Sequence, residues 1–206
     1  NEATVALSRP GRRADEYEDS LTAIRDAGRR LRRIVDDLFL LARADAGDVP
    51  LRRVPLYLDE VIAECVRSMR TLAEPRGVTI TIDTAVEAPF TGDQELLHRL
   101  VCNLLDNAIK HSPPDAVVSV SLARGHDAYE LRVRDRGPGI PPEFQPRVFE
   151  RFVRVDSARS RSTASTTSGA GLGLAIARWI VEAHQGTIAL EQSGPDGSVF
   201  VVLLPA

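Results

Sequence analysis

Hydrophobic positions recur at steps of three and four from about Asp15 to Ala44: Leu21, Ile24, Gly28, Leu31, Val35, Leu38 and Ala42. This is the seam spacing of a coiled coil or helix bundle and predicts one long helix. Ile34, Phe39 and Leu41 widen the stripe beyond what a short flanking segment could bury, so a partner helix is implied. Residues 2–8 predict a helical stub closed by a Pro10-Gly11 turn. Gly47-Asp48-Val49-Pro50 then breaks the chain, and a boundary there separates residues 1–47 from residues 48–206.

Beyond the break the periods of helix and strand are mixed. Helices are expected over 58–72, 95–110 and 172–183, and strands over 78–82, 117–123, 130–134, 187–191 and 198–204. Arg124-Gly125-His126-Asp127 and Gly194-Pro195-Asp196-Gly197 supply turns between strands. Residues 155–170 hold almost no large apolar side chain and predict a mobile loop. Antiparallel strands with helices on one face make the fold class α/β, a two-layer α/β sandwich.

Composition narrows the function more than the fold. A hydrophobic fraction of 43% supplies a full core, and a net charge of −3 gives no footprint for nucleic acid. The run Arg29-Arg30-Leu31-Arg32-Arg33, followed by Asp36-Asp37, reads as the wet face of a helix. Cys65 and Cys102 stand in helical patterns without a partner motif and read as reduced apolar residues of a cytoplasmic protein. No apolar run reaches membrane-spanning length, so no membrane contact is expected within this chain. The cytoplasmic part of an inner-membrane protein is the alternative setting.

Three polar clusters interrupt the apolar patterns. In NLLDNAIKHS, Asn103, Asn107, Lys110 and His111 share one helical face, with the only lysine of the chain among them. An amide oxygen suits Mg²⁺ shared with phosphates, and a lysine one turn on supplies a point charge. A polar face towards solvent is the competing reading. The second cluster, Asp135-Arg136-Gly137-Pro138-Gly139-Ile140, follows a strand. Its carboxylate can accept from an exocyclic amine, although Asp, Gly and Pro also make plain turns. The third, Gly169-Ala170-Gly171-Leu172-Gly173-Leu174, opens a helix, where bare N–H groups favour an anion. It lacks the Lys-Ser or Lys-Thr pair of a Walker loop and the preceding strand of a dinucleotide site.

Taken in this order, with Val148-Phe149-Glu150-Arg151-Phe152 between the last two, the clusters resemble the ATP-binding domain of sensor histidine kinases, within the GHKL group. The resemblance covers residues 51–205 through an asparagine box, a glycine box (DRGPGI), a phenylalanine box (VFERFVRVD) and a second glycine box (GAGLGL). It implies the Bergerat form of the sandwich, with ATP and Mg²⁺ bound. By that resemblance Asn107 ligates Mg²⁺, Lys110 meets phosphate and Asp135 accepts from the adenine amino group. Gly137 and Gly139, with Ile140 after them, line the base pocket. Gly169, Gly171, Leu172, Gly173 and Leu174 wrap the phosphates under a lid, and Arg154 adds a phosphate contact. His111 stands where the family often has tyrosine, and Val153 where an aromatic residue is common. Asn103 stands where gyrase and the heat-shock chaperones carry a glutamate that activates water; an amide is a poor base, which favours a kinase over an ATPase.

Residues 1–47 resemble the end of the family's dimerisation and phosphoacceptor region, the remnant of a helical hairpin from a dimeric four-helix bundle. The phosphoacceptor histidine belongs in a His-Glu-x-x-x-Pro setting, and His98, His111, His126 and His184 have none. The reading is therefore a truncated histidine kinase with no catalytic histidine of its own. It should bind ATP without labelling itself, pair as a homodimer through the helical region, and serve a response regulator. A GHKL serine kinase or ATPase, and a pseudokinase that only binds nucleotide, are the alternatives.

Overall fold

The computed structural model describes residues 14–84, 86–155 and 170–206. The stub expected at 2–8 and residues 156–169 of the loop expected at 155–170, Gly169 among them, lie outside the described residues. The chain divides into two compact units, Asn1–Gly47 and Asp48–Ala206.

The first unit is helix α1, Ala14–Asp45. Arg29 lies near Asp26 one turn before it, and Arg32 near Asp36 one turn after it, so the charges pair along the wet face. Gly47, at φ +72°, ends the helix, its N–H donating to Ala44 O at 3.1 Å. Leu21, Leu31, Val35 and Phe39 of the apolar stripe are exposed. Among the described residues no helix is long and apolar enough to cross a membrane.

The second unit starts with β1 (Val54–Tyr57), α2 (Leu58–Ala73), β2 (Thr79–Asp83) and β3 (Pro89–Gly92). It continues through α3 (Gln94–His111), β4 (Val117–Arg124), β5 (Ala128–Arg134), α4 (Gly173–Ala183), β6 (Thr187–Gly194) and β7 (Gly197–Pro205). A five-stranded sheet has the order β2-β4-β5-β7-β6, and β1 pairs with β3 in a separate ribbon. Val120, Val133 and Phe200 lie opposite one another across three strands, as do Leu122, Leu131 and Val202; all are buried. These rows form the sheet's side of the core, and α3 and α4 pack on it.

Two features depart from the sequence reading. Strand β2 runs parallel to β4, not antiparallel, because the chain leaves β2, passes through α3 and returns in the same direction. The β1–β3 pair was not anticipated. Each strand has four residues and a proline, Pro55 or Pro89, so neither carries a legible alternation, and the partners lie far apart in sequence.

Asp93 and His184 tie the ends of α3 and α4 together. Asp93 caps α3, its Oδ1 accepting from Leu96 N at 3.1 Å, while Oδ2 accepts from Arg52 N at 2.9 Å. His184 is buried; its Nδ1–H donates to Ile180 O at 2.8 Å and its Nε2 accepts from Asp93 N at 3.0 Å. Both ring nitrogens are thereby used by the neutral form. Burial pushes its pKa below the usual histidine range. Between the lowered value and the ordinary one the unfolded chain binds more protons than the folded chain, so stability falls as pH drops through the ordinary range. His184→Phe strands the Asp93 N–H and should cost about 1–3 kcal/mol, while flattening this acid-side slope. Urea unfolding at several pH values checks both outcomes; an unchanged midpoint and slope would contradict the pairing.

Candidate nucleotide-binding site

Helix α3 has two faces of different character. Leu97, Leu100, Val101, Leu104, Leu105, Ala108 and Ile109 are buried, which leaves Asn103, Asn107, Lys110 and His111 on the other side. Asn103 is half-buried, and its Nδ2 donates to Gly173 O at 3.1 Å. Lys110 pairs with the Asp106 carboxylate one turn back, both side chains half-buried. Asn107 is half-buried, and its amide has no hydrogen-bond partner among the described residues. His111 is exposed at the end of the helix.

Asp135 follows β5 directly and is only 4% exposed. Its backbone N–H donates to Ser198 O at 3.0 Å. Its Oδ1 accepts from Gly137 N at 2.8 Å and from Ser198 N at 3.1 Å. Its Oδ2 has no partner among the described residues. Burial raises the Asp135 pKa, against the two N–H groups and the nearby His111 ring, which favour the charged form. The carboxylate therefore sits in a dry place with one oxygen satisfied and one available.

The glycine loop after Asp135 is held from two directions. A Cβ on Gly137 would stand 2.6 Å from His111 O, so the loop lies directly against the end of α3. Arg136 N also donates to Ser112 Oγ, at 3.5 Å. On the other side Ile140 N donates to Ser193 Oγ at 2.7 Å, and that hydroxyl pairs with Ser198 Oγ at 2.9 Å. The backbones of Gly139 and Gly194 abut there. Gln145 Nε2 closes the loop onto Ile140 O at 2.8 Å.

The second glycine cluster joins the same assembly. Gly171 has φ +73°, its carbonyl accepts from Phe152 N at 2.8 Å, and a Cβ on it would lie 2.8 Å from Val153 O. Phe152 itself adopts φ +64°, unusual for a bulky residue. Phe149 meets Phe200 edge-on at 6.1 Å, which anchors this segment on the sheet. Leu172 is buried and supplies no side-chain cap to α4, so the first N–H groups of that helix stay open. Gly173 accepts from Asn103 as described, Leu174 is half-buried, and Arg154 is exposed. Such an arrangement can take an anion at α4, a hard cation at the Asn107 amide oxygen, and an amine at Asp135.

The chain matches a known family over residues 92–206, described as histidine kinase-, DNA gyrase B- and HSP90-like ATPases. The chain belongs to that ATPase family. It is 37% identical over 205 residues, its whole length, to the sensor protein IrlS of Burkholderia pseudomallei, of which it covers 43%. It therefore spans about two fifths of the curated relatives it matches. Among solved structures, a mycobacterial sensor histidine kinase, MprB, is 32% identical with a TM-score of 0.62, over 74% of this chain and 97% of that one. Full-length ShkA in complex with AMPPNP is 26% identical with a TM-score of 0.79, over 94% of this chain and 39% of ShkA. The ATPase-family fold, an α/β sandwich after a helical region, is thus this chain's fold.

Three supports of the site were not singled out from sequence. Ser193, Ser198 and Asp106 look like turn or surface residues in the text of the chain; only Asp106, four residues before Lys110, carried a spacing signal. A cavity of about 1100 Å³, lined by Arg53, Tyr57, Phe90 and His184 among others, includes none of the expected site residues. For Gly171→Ala, a left-handed L-residue costs about 1–2 kcal/mol, and the Val153 carbonyl adds crowding. The urea midpoint should drop accordingly with an unchanged slope; full stability in Gly171→Ala would contradict the loop geometry.

Proposed function

We propose that this chain is the catalytic region of a two-component sensor histidine kinase. It binds Mg·ATP and transfers the γ-phosphoryl to a histidine that this sequence does not contain, and thence to a response-regulator aspartate. The observation that carries the reading is the open Oδ2 of buried Asp135, joined through Gly137 and Asn103 to the free Asn107 amide and the uncapped start of α4. Asp135 accepts from the adenine amino group, and Gly137, Gly139 and Ile140 line the base. Asn107 holds Mg²⁺, which when bound neutralises phosphate charge. The N–H groups at Gly171, Leu172, Gly173 and Leu174, with Gly169, take the phosphates alongside Lys110 and Arg154, and His111 flanks the nucleotide. The AMPPNP complex of ShkA supports an adenine nucleotide as the occupant.

Asn103 favours transfer over hydrolysis. Its amide has no basic site near neutral pH, and its N–H is spent on Gly173 O. Phosphoryl transfer depends mostly on positioning and charge stabilisation, so a site that does not activate water keeps the γ-phosphoryl for a protein acceptor. A cytoplasmic location for this chemistry is supported by the likeness to the solved cytoplasmic segment of the histidine kinase QseC.

Adenine selectivity follows from Asp135, because guanine presents a carbonyl where adenine presents an amine. A charge-assisted hydrogen bond contributes roughly 1.5–3 kcal/mol, so Asp135→Asn should weaken ATP binding ~10- to 100-fold. Wild-type affinity should also fall as pH drops through the raised Asp135 pKa, since protonation removes the charge that strengthens this acceptor, and Asp135→Asn should lose that dependence. Calorimetry with ATP and GTP across mildly acid pH checks all three; equal affinity for the two nucleotides would overturn the assignment.

The exposed stripe of α1, with Leu31 63% and Phe39 65% accessible, supports homodimerisation through the helical region. Leu31→Asp with Leu38→Asp should give a monomer by sedimentation that still binds ATP. Loss of nucleotide binding together with dimerisation would contradict a separate ATP-binding unit beginning near residue 48.

A further inference from the structure

The facing sides of α2 and α3 bring together both cysteines of the chain and one of its four histidines. Cys65, on α2, is completely buried. His98 and Cys102 stand four residues apart on α3, on one face of the helix, and are half-buried. The three candidate donor atoms all lie within 4.8 Å of one another. Cys102 Sγ is 3.6 Å from His98 Nδ1, and Cys65 Sγ donates to His98 O at 3.4 Å and interacts with the Cys102 thiol. Nothing in the nucleotide-site argument uses any of these groups.

We propose that Cys65, His98 and Cys102 form a binding site for one Zn²⁺ ion, with a solvent water in the fourth position. In a tetrahedral zinc site, Zn–S near 2.3 Å and Zn–N near 2.0–2.1 Å place neighbouring donors roughly 3.5–3.8 Å apart. The Cys102–His98 spacing already has that value, and all three donors lie within 4.8 Å of one another, so they have only a short distance to close. Two sulfurs and one imidazole suit a borderline-soft cation and not Mg²⁺ or Ca²⁺, which take oxygen, so this site is chemically separate from the one at Asn107.

The charges balance. Each thiol gives its proton to solvent, and the two thiolates neutralise the dication, with the imidazole neutral. Glu64 acts through space on both thiols, and Asp106 on Cys102, so the local field also favours a cation. The half-exposed side formed by His98 and Cys102 provides the entry path and room for the water. An occupied site pins α2 to the helix that carries Asn103 and Asn107, one turn further along.

The test uses the full chain under a phosphine reductant. Co²⁺ should bind with one equivalent per chain, giving thiolate-to-cobalt charge-transfer absorption and the intense visible bands of a tetrahedral site, and Zn²⁺ should displace it. Zn²⁺ should also raise the melting temperature. Cys102→Ser should weaken Zn²⁺ binding at least ~100-fold, beyond what loss of an outer partner costs, and abolish the thermal shift. His98→Gln should do the same while keeping both thiols; each variant's ATP binding reports that it is folded. A weak octahedral cobalt spectrum, or the same Zn²⁺ affinity in folded Cys102→Ser, would each overturn the proposal.

Discussion

A carboxylate taken out of water is costly unless hydrogen bonds replace its hydration. At Asp135 those bonds come from two backbone N–H groups, Gly137 and Ser198, and both go to Oδ1. The arrangement leans on three parts of the chain at once: the end of β5, the loop after it, and the start of β7. It also explains the glycine that opens β7. A Cβ on Gly197, at φ +113°, would stand 2.0 Å from Asp135 O, so this turn can approach only without a side chain. The hydroxyls of Ser193 and Ser198 extend the same brace to Ile140. What results is a partly answered charge, fixed in place, whose second oxygen favours a donor.

Helix α3 connects that charge to everything else in the site. Its apolar face is sealed against the core, so its polar face has no freedom to turn, and Asn103, Asn107 and Lys110 keep one orientation. Asn103 reaches the first residue of α4, while the carbonyl of His111 lies under Gly137. The two glycine clusters, far apart in sequence, are thereby held at the middle and the C-terminal end of one rigid element. Rigid placement of this kind is what phosphoryl transfer requires, since little of its rate comes from covalent help by the protein. The Asp93–His184 bridge clamps the start of α3 to the end of α4 and so fixes the other end of the frame.

Much of this was legible in the chain because its signals are local. The helices α2, α3 and α4 and all five strands of the main sheet declare themselves by periodicity, and the glycines announce the site loops. Pairings between distant segments were not legible. The parallel partnership of β2 with β4 depends on a crossover that no window of residues contains, and the β1–β3 ribbon hides behind two prolines. The supports of Asp135 failed for a related reason. Ser193 and Ser198 flank a turn whose composition already accounts for them, and only the folded sheet shows that they face the carboxylate loop. Likewise Cys65 and Cys102 carry no motif, because their meeting with His98 crosses between two helices.

The central claim is that the free oxygen of Asp135 reads an exocyclic amine. A double cycle tests it most directly: ATP and the purine nucleotide lacking the 6-amino group, each titrated calorimetrically into the wild type and Asp135→Asn. The account predicts a coupling of roughly 1.5–3 kcal/mol, with loss of the amine costly in the wild type and nearly neutral in the variant. Equal cost of removing the amine in both proteins would mean that Asp135 does not touch it, and would contradict the account.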